Sequence, residues 1–368
     1  MTRRVFLHIG LPKTGTTYLQ SILWAHRAAL REAGLLLPGR GPREHLWASC
    51  DVRGENRLER RHADAPGSWA RLAAEVNTWQ RDALITHEFF CGASADQIGA
   101  ALQHLEDAEV HVVITAREVV SLVTARWQEW VKNGATGAID DYPTSEAYDP
   151  TDEWGWSTLD LADILRRWST HVAPERIHVI CPPQPQEGED ALWERFAAIV
   201  GVAPTLAQTS SARPNRSLGL VAIELMRRVN VHAAVKRPVD RGVWLRGYLA
   251  EDVLAELDTE RFWPSAARVE VLRERGRLTL EALAAGGYDV QGESAVLATP
   301  ETLEPRRHPA EVTDAEVVDV AARAMARMLA DVREARAADG VATQGPAPRS
   351  ERFVTLARRA VGRRRTRG

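Results

Sequence analysis

The feature that most constrains this fold is an apolar run that passes directly into a glycine- and threonine-rich turn and then into a helical pattern. Residues 5–9 are the apolar run, the turn carries Lys13 between Gly10 and Gly15, and the helical pattern begins at Thr16. A strand that ends in such a turn presents backbone N–H groups and a helix N-terminus to an anion, and a lysine neutralises its charge. The segment therefore predicts a phosphate-binding loop after the first strand.

The spacing inside this turn differs from that of nucleotide triphosphatases. Their loop reads G-x-x-x-x-G-K-[ST], with the lysine directly after the second glycine. Here Gly10 and Gly15 have the expected spacing, but Thr16 occupies the lysine position and Lys13 lies earlier. An ordinary strand-to-helix turn with a threonine N-cap is the alternative interpretation.

Residues 12–17 read P-K-T-G-T-T, which resembles a loop of the sulfotransferases that use 3′-phosphoadenosine 5′-phosphosulfate (PAPS). That family usually has P-K-[ST]-G-[ST]-[ST] after its first strand. The resemblance implies that the 5′-phosphosulfate is bound by this loop, namely by Lys13, Thr14, Gly15, Thr16 and Thr17.

Strand-like runs alternate with helical patterns along the first 200 residues. The runs are 5–9, 83–86, 110–115 and 177–181; the helical patterns are 16–33, 70–79, 95–105, 119–132, 159–171 and 191–200. This alternation predicts an α/β fold, a P-loop NTPase-like parallel sheet with helices on both faces. A mostly helical part follows over 218–287, and another helix is expected over 314–337. We expect a sulfotransferase-like domain over 1–290, a helical extension over 291–340, and a linker and basic tail over 341–368.

A second motif is the apolar run 110–115, which leads to Arg117 just before a helical pattern. A guanidinium group can bind a phosphate with two parallel hydrogen bonds. The resemblance implies that Arg117 binds the 3′-phosphate of PAPS together with a serine eight residues on. Position 125 is alanine, so Ser121 or Thr124 would have to replace that serine. A surface residue in a salt bridge is the alternative for Arg117.

A third motif places His87 and Glu88 directly after the run 83–86, at the same sheet edge as Lys13. Sulfuryl transfer is in-line and benefits from a base that removes the acceptor proton. The resemblance implies that His87 is this base, with Glu88 as the rival base or as the group that orients His87. His45, expected in a Gly/Pro-rich loop, is the third candidate. A histidine satisfied by hydrogen bonds at a strand end is the alternative.

A fourth motif, residues 213–219, is a polar loop that opens a helix. The resemblance implies that Arg213, Asn215 and Ser217 belong to a loop that closes over the nucleotide near its 3′-phosphate. Asn215 or Ser217 could instead be a helix N-cap. Further similarity to a bacterial, actinobacterial-type sulfotransferase-like subfamily lies around residues 127–132 and 152–156, so the resemblance covers residues 5 to about 290.

Composition limits the partners and the compartment. The chain has a formal net charge of −3, but residues 349–368 contain eight arginines and one glutamate. The remaining chain is therefore acidic, which argues against a nucleic-acid partner. The pattern of the tail favours a frayed, solvated segment, and a peripheral membrane contact through a basic amphipathic helix is the other interpretation.

The cysteines and the apolar runs bound the remaining possibilities. Three widely spaced cysteines give neither a disulfide framework nor a metal-ligand spacing, so each is expected to be a small core residue. No apolar run reaches the roughly 20 residues of a membrane-spanning helix, and residues 5–9 are too short for a signal peptide. A cytoplasmic protein is therefore expected.

Together the motifs predict a PAPS-dependent sulfotransferase that needs no metal. The acceptor is a hydroxyl or an amine on an unidentified small molecule, sugar or lipid. One alternative is a catalytically silent PAP-binding relative, which the alanine at position 125 favours. The other is a nucleotide kinase, which would have a lysine after the second glycine and a strand-end aspartate for Mg²⁺.

Overall fold

The computed structural model of the chain describes residues 3–206, 217–235 and 237–338. The strands are β1 (Arg4–His8), β2 (Leu35–Leu36), β3 (Asp82–Thr86), β4 (Glu109–Thr115), β5 (Ile177–Ile180) and β6 (Asp289–Gln291). They form one parallel sheet in the order β2-β3-β1-β4-β5-β6. The four strands expected from the apolar runs are confirmed. The edge strands β2 and β6 are too short to give a sequence pattern.

Apolar side chains cover both faces of this sheet. On one face, Phe6 of β1 and Val113 of β4 lie in a buried cluster with helical side chains such as Leu19. On the other face, the alternate residues Leu7 and Val112 are also buried. Strands buried on both faces are typical of a parallel sheet between two layers of helices. The predicted α/β class is confirmed.

Helices connect and flank the strands. They are α1 (Thr16–Ala25), α2 (Arg27–Ala33), α3 (Pro42–Val52), α4 (Ser68–Thr78), α5 (Ala95–Leu102), α6 (Val119–Lys132), α7 (Leu161–Trp168), α8 (Ala191–Val200), α9 (Leu220–His232), α10 (Pro238–Asp240), α11 (Ala266–Gly286) and α12 (Asp314–Ala338). A π-helix spans Arg241–Val253. The helical character expected for 218–287 and 314–337 is confirmed. Within the described ranges, no helix is both long enough and apolar enough to cross a bilayer.

Two local predictions are wrong. The single helix expected over 16–33 is two helices, because His26 has the non-helical dihedrals φ −108° and ψ 21°. Leu23 of α1 and Leu30 of α2 nevertheless reach the same buried cluster. The Gly/Pro-rich segment around His45 is helix α3 rather than a loop. Pro42 occupies the first turn of this helix, a position at which proline is favoured because its backbone needs no N–H donor there.

The chain divides into two compact units. Unit 1 comprises Met1–Arg126, Asp140–Pro214 and Ser265–Glu304, and it holds the sheet. Unit 2 comprises Trp127–Ile139, Asn215–Pro264 and Pro305–Gly368. Within unit 2, Nδ2 of Asn230 on α9 donates to the carbonyl oxygens of Val131 (2.7 Å) and Ala135 (2.8 Å). This buried side chain therefore fastens α9 to the segment 131–135.

Candidate functional site

The loop after β1 has an unusual backbone. Gly10 (φ 39°), Lys13 (φ 69°) and Gly15 (φ 95°) all have left-handed dihedrals. Such angles are uncommon for a residue with a side chain, so Lys13 is held there by its surroundings. Gly15 is the N-cap of α1, and no side chain caps the helix. The first N–H groups of α1 are therefore left for a ligand.

Two threonine hydroxyl groups support this loop. The Thr14 hydroxyl donates to the carbonyl oxygen of Leu11 at 2.5 Å, and its oxygen lies 2.6 Å from the hydroxyl oxygen of Thr115 on β4. A hydroxyl has a single proton, so Thr115 must be the donor in the second bond. The Thr14 hydroxyl is therefore engaged within the protein and holds the loop to β4.

The next two threonines differ in exposure. Thr16 is buried and its methyl group lies under the loop, because a Cβ placed on Gly10 would be 2.4 Å from it. Thr17 is exposed. Of these two residues, both predicted to bind a ligand here, Thr17 is the one exposed to solvent.

Arg117 follows β4 and reaches the same loop. Its Nη1 donates to the carbonyl oxygen of Lys13 at 3.1 Å, and the residue is exposed. The structure therefore brings together the lysine and the arginine that the sequence motifs single out. One guanidinium edge fixes the loop, which leaves a planar donor group beside it.

The start of α6 is already capped by a carboxylate. Glu118 accepts hydrogen bonds from the backbone N–H groups of Val120 (2.7 Å) and Ser121 (2.8 Å). Thr124 is buried and its hydroxyl donates to the carbonyl oxygen of Val120 at 2.8 Å. Ser121 is half-buried. Of the two residues expected to replace a serine at position 125, Ser121 is the better placed to reach a ligand.

Glu88 lies at the carboxyl end of β3 and is joined to α1. Its Oε2 accepts a hydrogen bond from Nε2 of Gln20 at 3.0 Å. Burial alone would raise the pKa of the Glu88 carboxyl. Neighbouring His87 and the hydrogen bonds from the Glu88 backbone and Gln20 lower it by more than burial raises it, so the pKa is below the usual value. Glu88 is therefore a carboxylate at neutral pH, in the state that a base requires.

The hydrogen bonds of the His87 ring determine which of its two nitrogens carries the proton. Its Nδ1 accepts a hydrogen bond from the backbone N–H of Phe89 at 3.2 Å, as the N-cap of the short 3₁₀-helix Glu88–Gly92. Burial lowers the pKa of His87, so the ring is neutral. A neutral ring whose Nδ1 accepts must have its proton on Nε2. In this arrangement Nε2 of His87 is a hydrogen-bond donor, and Glu88 is the better-placed base.

His45 is fully buried on α3, and both of its ring nitrogens are engaged. Nε2 lies 2.8 Å from the carbonyl oxygen of Pro38, and Nδ1 accepts from the backbone N–H of Thr86 at 3.0 Å. Burial lowers its pKa to about 4. His45 thus clamps α3 to the end of β3, and the geometry gives it no nitrogen with which to act as a base.

His8, at the end of β1, lies beside the candidate loop, and the sequence patterns do not single it out. Its Nδ1 lies 2.8 Å from the hydroxyl oxygen of Thr86, the ring is fully buried, and its edge meets Phe196. Nε2 is buried without a hydrogen-bond partner, and a Cβ placed on Gly10 would lie 3.4 Å from it. A buried nitrogen of this kind is rare, and this one faces the candidate loop.

The remaining predicted residues lie elsewhere or outside the described ranges. Arg213 and Asn215 fall in 207–216, outside the described residues, and Ser217 is exposed in unit 2. The three cysteines are buried, and burial raises the pKa of their thiols to about 11 or 12. Among the described residues, no three His, Cys, Asp or Glu side chains are grouped to hold a metal ion.

Comparisons with known proteins give the following result. No protein-family model and no curated protein matches the chain. A sulfotransferase from Alicyclobacillus acidocaldarius is similar in structure, with 16% identity, a TM-score of 0.39, and coverage of 63% of this chain and 94% of its own. The sulfotransferase domain from the curacin biosynthetic pathway has 12% identity, a TM-score of 0.36, and coverage of 75% and 97%. Both TM-scores lie below 0.5, so function has to be argued from the residues of this chain.

Proposed function

We propose that the chain is a PAPS-dependent sulfotransferase, which moves a sulfuryl group to a hydroxyl or amine of a small molecule, sugar or lipid. The observation that carries the proposal is the uncapped N-terminus of α1 behind a left-handed loop to which Arg117 is hydrogen-bonded. The unpartnered Nε2 of His8 supports it independently, because this buried nitrogen faces Gly10 in the same loop. Two basic side chains at one loop suit a nucleotide with two separate anionic groups.

Each basic residue is assigned one anionic group. Lys13 and the backbone N–H groups of residues 14–17 bind the 5′-phosphosulfate and stabilise the charge that develops on its leaving oxygen. Arg117 binds the 3′-phosphate with the guanidinium edge that does not contact the loop. Ser121 supplies the hydroxyl that the alanine at position 125 lacks. A contribution of Arg213, Asn215 and Ser217 to nucleotide binding rests on the family resemblance alone, since residues 207–216 lie outside the described ranges.

Glu88 is assigned as the base. When bound, PAPS supplies the activated sulfuryl group, and PAP is released. The Glu88 carboxylate, held by Gln20, removes the proton of the acceptor hydroxyl. His87 donates a hydrogen bond from Nε2 to the acceptor side of the site. No step in this assignment uses a metal ion.

The test is calorimetric binding of PAP, compared with ATP and Mg²⁺. Lys13→Ala and Arg117→Ala are each expected to weaken PAP binding about 10- to 100-fold, since each removes a charge-assisted contact. Arg277→Ala is the matched control, because Arg277 is exposed on α11 and pairs with Glu274 and Glu281. Binding of ATP without PAP would favour the nucleotide kinase. Binding of neither would refute the nucleotide site.

The cellular assignments are proposals from the sequence. A cytoplasmic protein with a basic tail that contacts anionic membranes is proposed, and the tail lies outside the described residues. Deleting residues 341–368 should weaken binding to anionic lipid vesicles. Unchanged vesicle binding would remove the membrane contact and leave the rest of the proposal intact.

A further inference from the structure

Helix α12 of unit 2 carries large apolar side chains that the other described parts of the chain leave exposed. Val318 is 67% exposed, Met325 59% and Leu329 70%. Apolar residues scattered singly over a surface are ordinary, whereas a group of them on one element marks an interaction surface. Their arrangement along α12 therefore indicates what they can contact.

The exposed residues belong to a regular apolar stripe, here named the α12 stripe. It comprises Ala315, Val318, Ala322, Met325, Leu329 and Val332. All six are exposed except Val332, which is half-buried. Their alternating spacings of three and four residues keep the side chains on one side of a helix, as in the seam of a coiled coil. The stripe runs for about 26 Å along the helix axis.

The other side of α12 is already packed within unit 2. Val317, Val320 and Ala324 are buried there. The hydroxyl group of Tyr248 on the π-helix donates to Oδ2 of Asp331 at 3.2 Å. A helix that buries one face in its own domain usually has a polar opposite face, and the α12 stripe departs from that pattern. The stripe is therefore not needed to hold α12 in place and can receive a partner.

The stripe is complementary to a second copy of itself in the antiparallel direction. Its spacings are three, four, three, four and three residues, which read the same from either end. In an antiparallel pair, Ala322 therefore lies opposite Met325 of the second copy, and Val318 lies opposite Leu329 of the second copy. Each of these layers joins a smaller side chain to a larger one, as close packing between two helices requires.

The charges beside the stripe favour the same direction. Asp314 and Asp319 are exposed near the beginning of α12, and Arg333 and Arg336 are exposed near its end. An antiparallel pair brings the acidic end of each copy to the basic end of the other. A parallel pair would instead set Arg336, which continues the spacing of the stripe, against Arg336 of the second copy. Like charges would then oppose association.

We propose that α12 is a dimerisation surface, through which two copies of this chain associate as an antiparallel helix pair along their α12 stripes. The proposal goes beyond the sulfotransferase activity and does not depend on it. One helix pair is a small interface, so a reversible dimer with a micromolar dissociation constant is expected.

The first test measures the mass of the full chain by sedimentation equilibrium, from micromolar to several hundred micromolar protein. Wild type should pass from monomer to dimer over this range. Leu329→Glu should weaken association about 100-fold or more, because the dimer would bury the new carboxylate in two symmetric layers. Leu278→Glu is the matched control, since Leu278 is an exposed leucine on α11. Both substituted positions are exposed, so both variants should fold, and circular dichroism checks this.

The second test determines the direction of the pair. Val318→Cys and Leu329→Cys are prepared separately and oxidised either alone or after mixing. A disulfide-linked dimer is expected only in the mixture, because residues 318 and 329 lie opposite each other while each lies about 16 Å along the axis from its own counterpart. The three native cysteines are buried and should not contribute.

The outcomes decide both the surface and the direction. A dimer that Leu329→Glu weakens and Leu278→Glu does not, with cross-links only in the mixture, supports the proposal. A wild-type chain that stays monomeric overturns it, as does wild-type association in Leu329→Glu. Cross-links in either variant alone, or none in the mixture, overturn the antiparallel arrangement. If the wild type is monomeric and deletion of residues 341–368 produces a dimer, the tail of the same chain occupies the stripe and the proposal is wrong.

Discussion

Nη1 of Arg117 lies 3.1 Å from the carbonyl oxygen of Lys13, although the two residues are 104 positions apart in the chain. The bond joins the end of β4 to the residue whose φ of 69° is unusual for a side-chain-bearing residue. Arg117 therefore stabilises the backbone that aims Lys13, in addition to any contact it has with a ligand. Removing the guanidinium should perturb both anion-binding positions together.

Arg117→Lys separates charge from geometry. Lysine keeps the positive charge but lacks the planar fork that can bond the loop and a phosphate at once. We expect PAP to bind about tenfold more weakly to Arg117→Lys and still more weakly to Arg117→Ala, since a charge-assisted contact contributes about 1.5–3 kcal/mol. Calorimetric titration with PAP measures both. Wild-type affinity in Arg117→Lys would show that a point charge is sufficient.

Gly10→Ala tests the conformation of the loop. Gly10 has φ 39°, and a Cβ there would lie 2.4 Å from the methyl group of Thr16. The substitution should distort the loop and weaken PAP binding about tenfold or more, because left-handed strain and the clash each cost about 1–3 kcal/mol. Gly41→Ala is the matched control, since Gly41 has extended backbone and nothing lies within 4 Å of its Cβ position. Equal PAP affinity in both variants would refute a role for the loop conformation.

Local patterns were sufficient to predict the four central strands of the sheet and to single out the loop with Lys13 and the residue Arg117, which the structure brings together. The loop with Lys13 and the strand that leads to Arg117 are each a short continuous segment, so the residues next to them in the sequence are enough to recognise them. Parallel strands end at the same edge of a sheet, and this places the two segments close together. The assignment of these segments to strands and helices then follows from their sequence pattern.

The rest depends on contacts that no local pattern contains. His45 follows Gly39, Gly41 and Pro42, which resemble a loop, yet proline at a first turn also starts a helix. His8 lies within an apolar strand, and its unpartnered nitrogen is evident only once Gly10 is placed above it.

Stability should fall with acid because two buried histidines must be protonated on unfolding. Burial lowers the pKa of His8 and of His45 from 6.5 to about 4. The folded state therefore binds fewer protons than the unfolded state between pH 6.5 and about 4. The contribution of the two neutral histidines to the free energy of unfolding is complete above pH 6.5 and is lost as the pH falls toward 4. Each histidine contributes on the order of 3 kcal/mol to this loss.

The measurement is the free energy of unfolding from urea titrations at about pH 7.5 and about pH 4.5. His45→Asn should reduce the difference between the two pH values, although it also weakens the clamp on Thr86. His104→Asn, at an exposed position, should keep the full difference. The same pH dependence in His45→Asn and wild type would contradict the assignment to His45.

Glu88→Gln tests the base most directly. Glutamine can still accept from Gln20 through its amide oxygen, so the fold and the PAP affinity should be unchanged. The rate of PAP release from PAPS, measured with a panel of alcohols, phenols and amines as acceptors, should fall about 10²- to 10⁴-fold, the usual loss when a positioned base is removed. In wild type the rate should stay high at neutral pH and decline only in acid below pH 4.5, because the pKa of Glu88 is below that usual value.

His87→Asn supplies the comparison that decides between the two residues. Asparagine is a good N-cap and can still accept the backbone N–H of Phe89, so the 3₁₀-helix should persist. The variant loses the Nε2 donor, and its rate should fall by roughly tenfold, the value of one hydrogen bond in the site. If His87→Asn abolished turnover while Glu88→Gln kept it, the proton would go to His87, and its Nδ1 would have to exchange the Phe89 contact for a proton of its own.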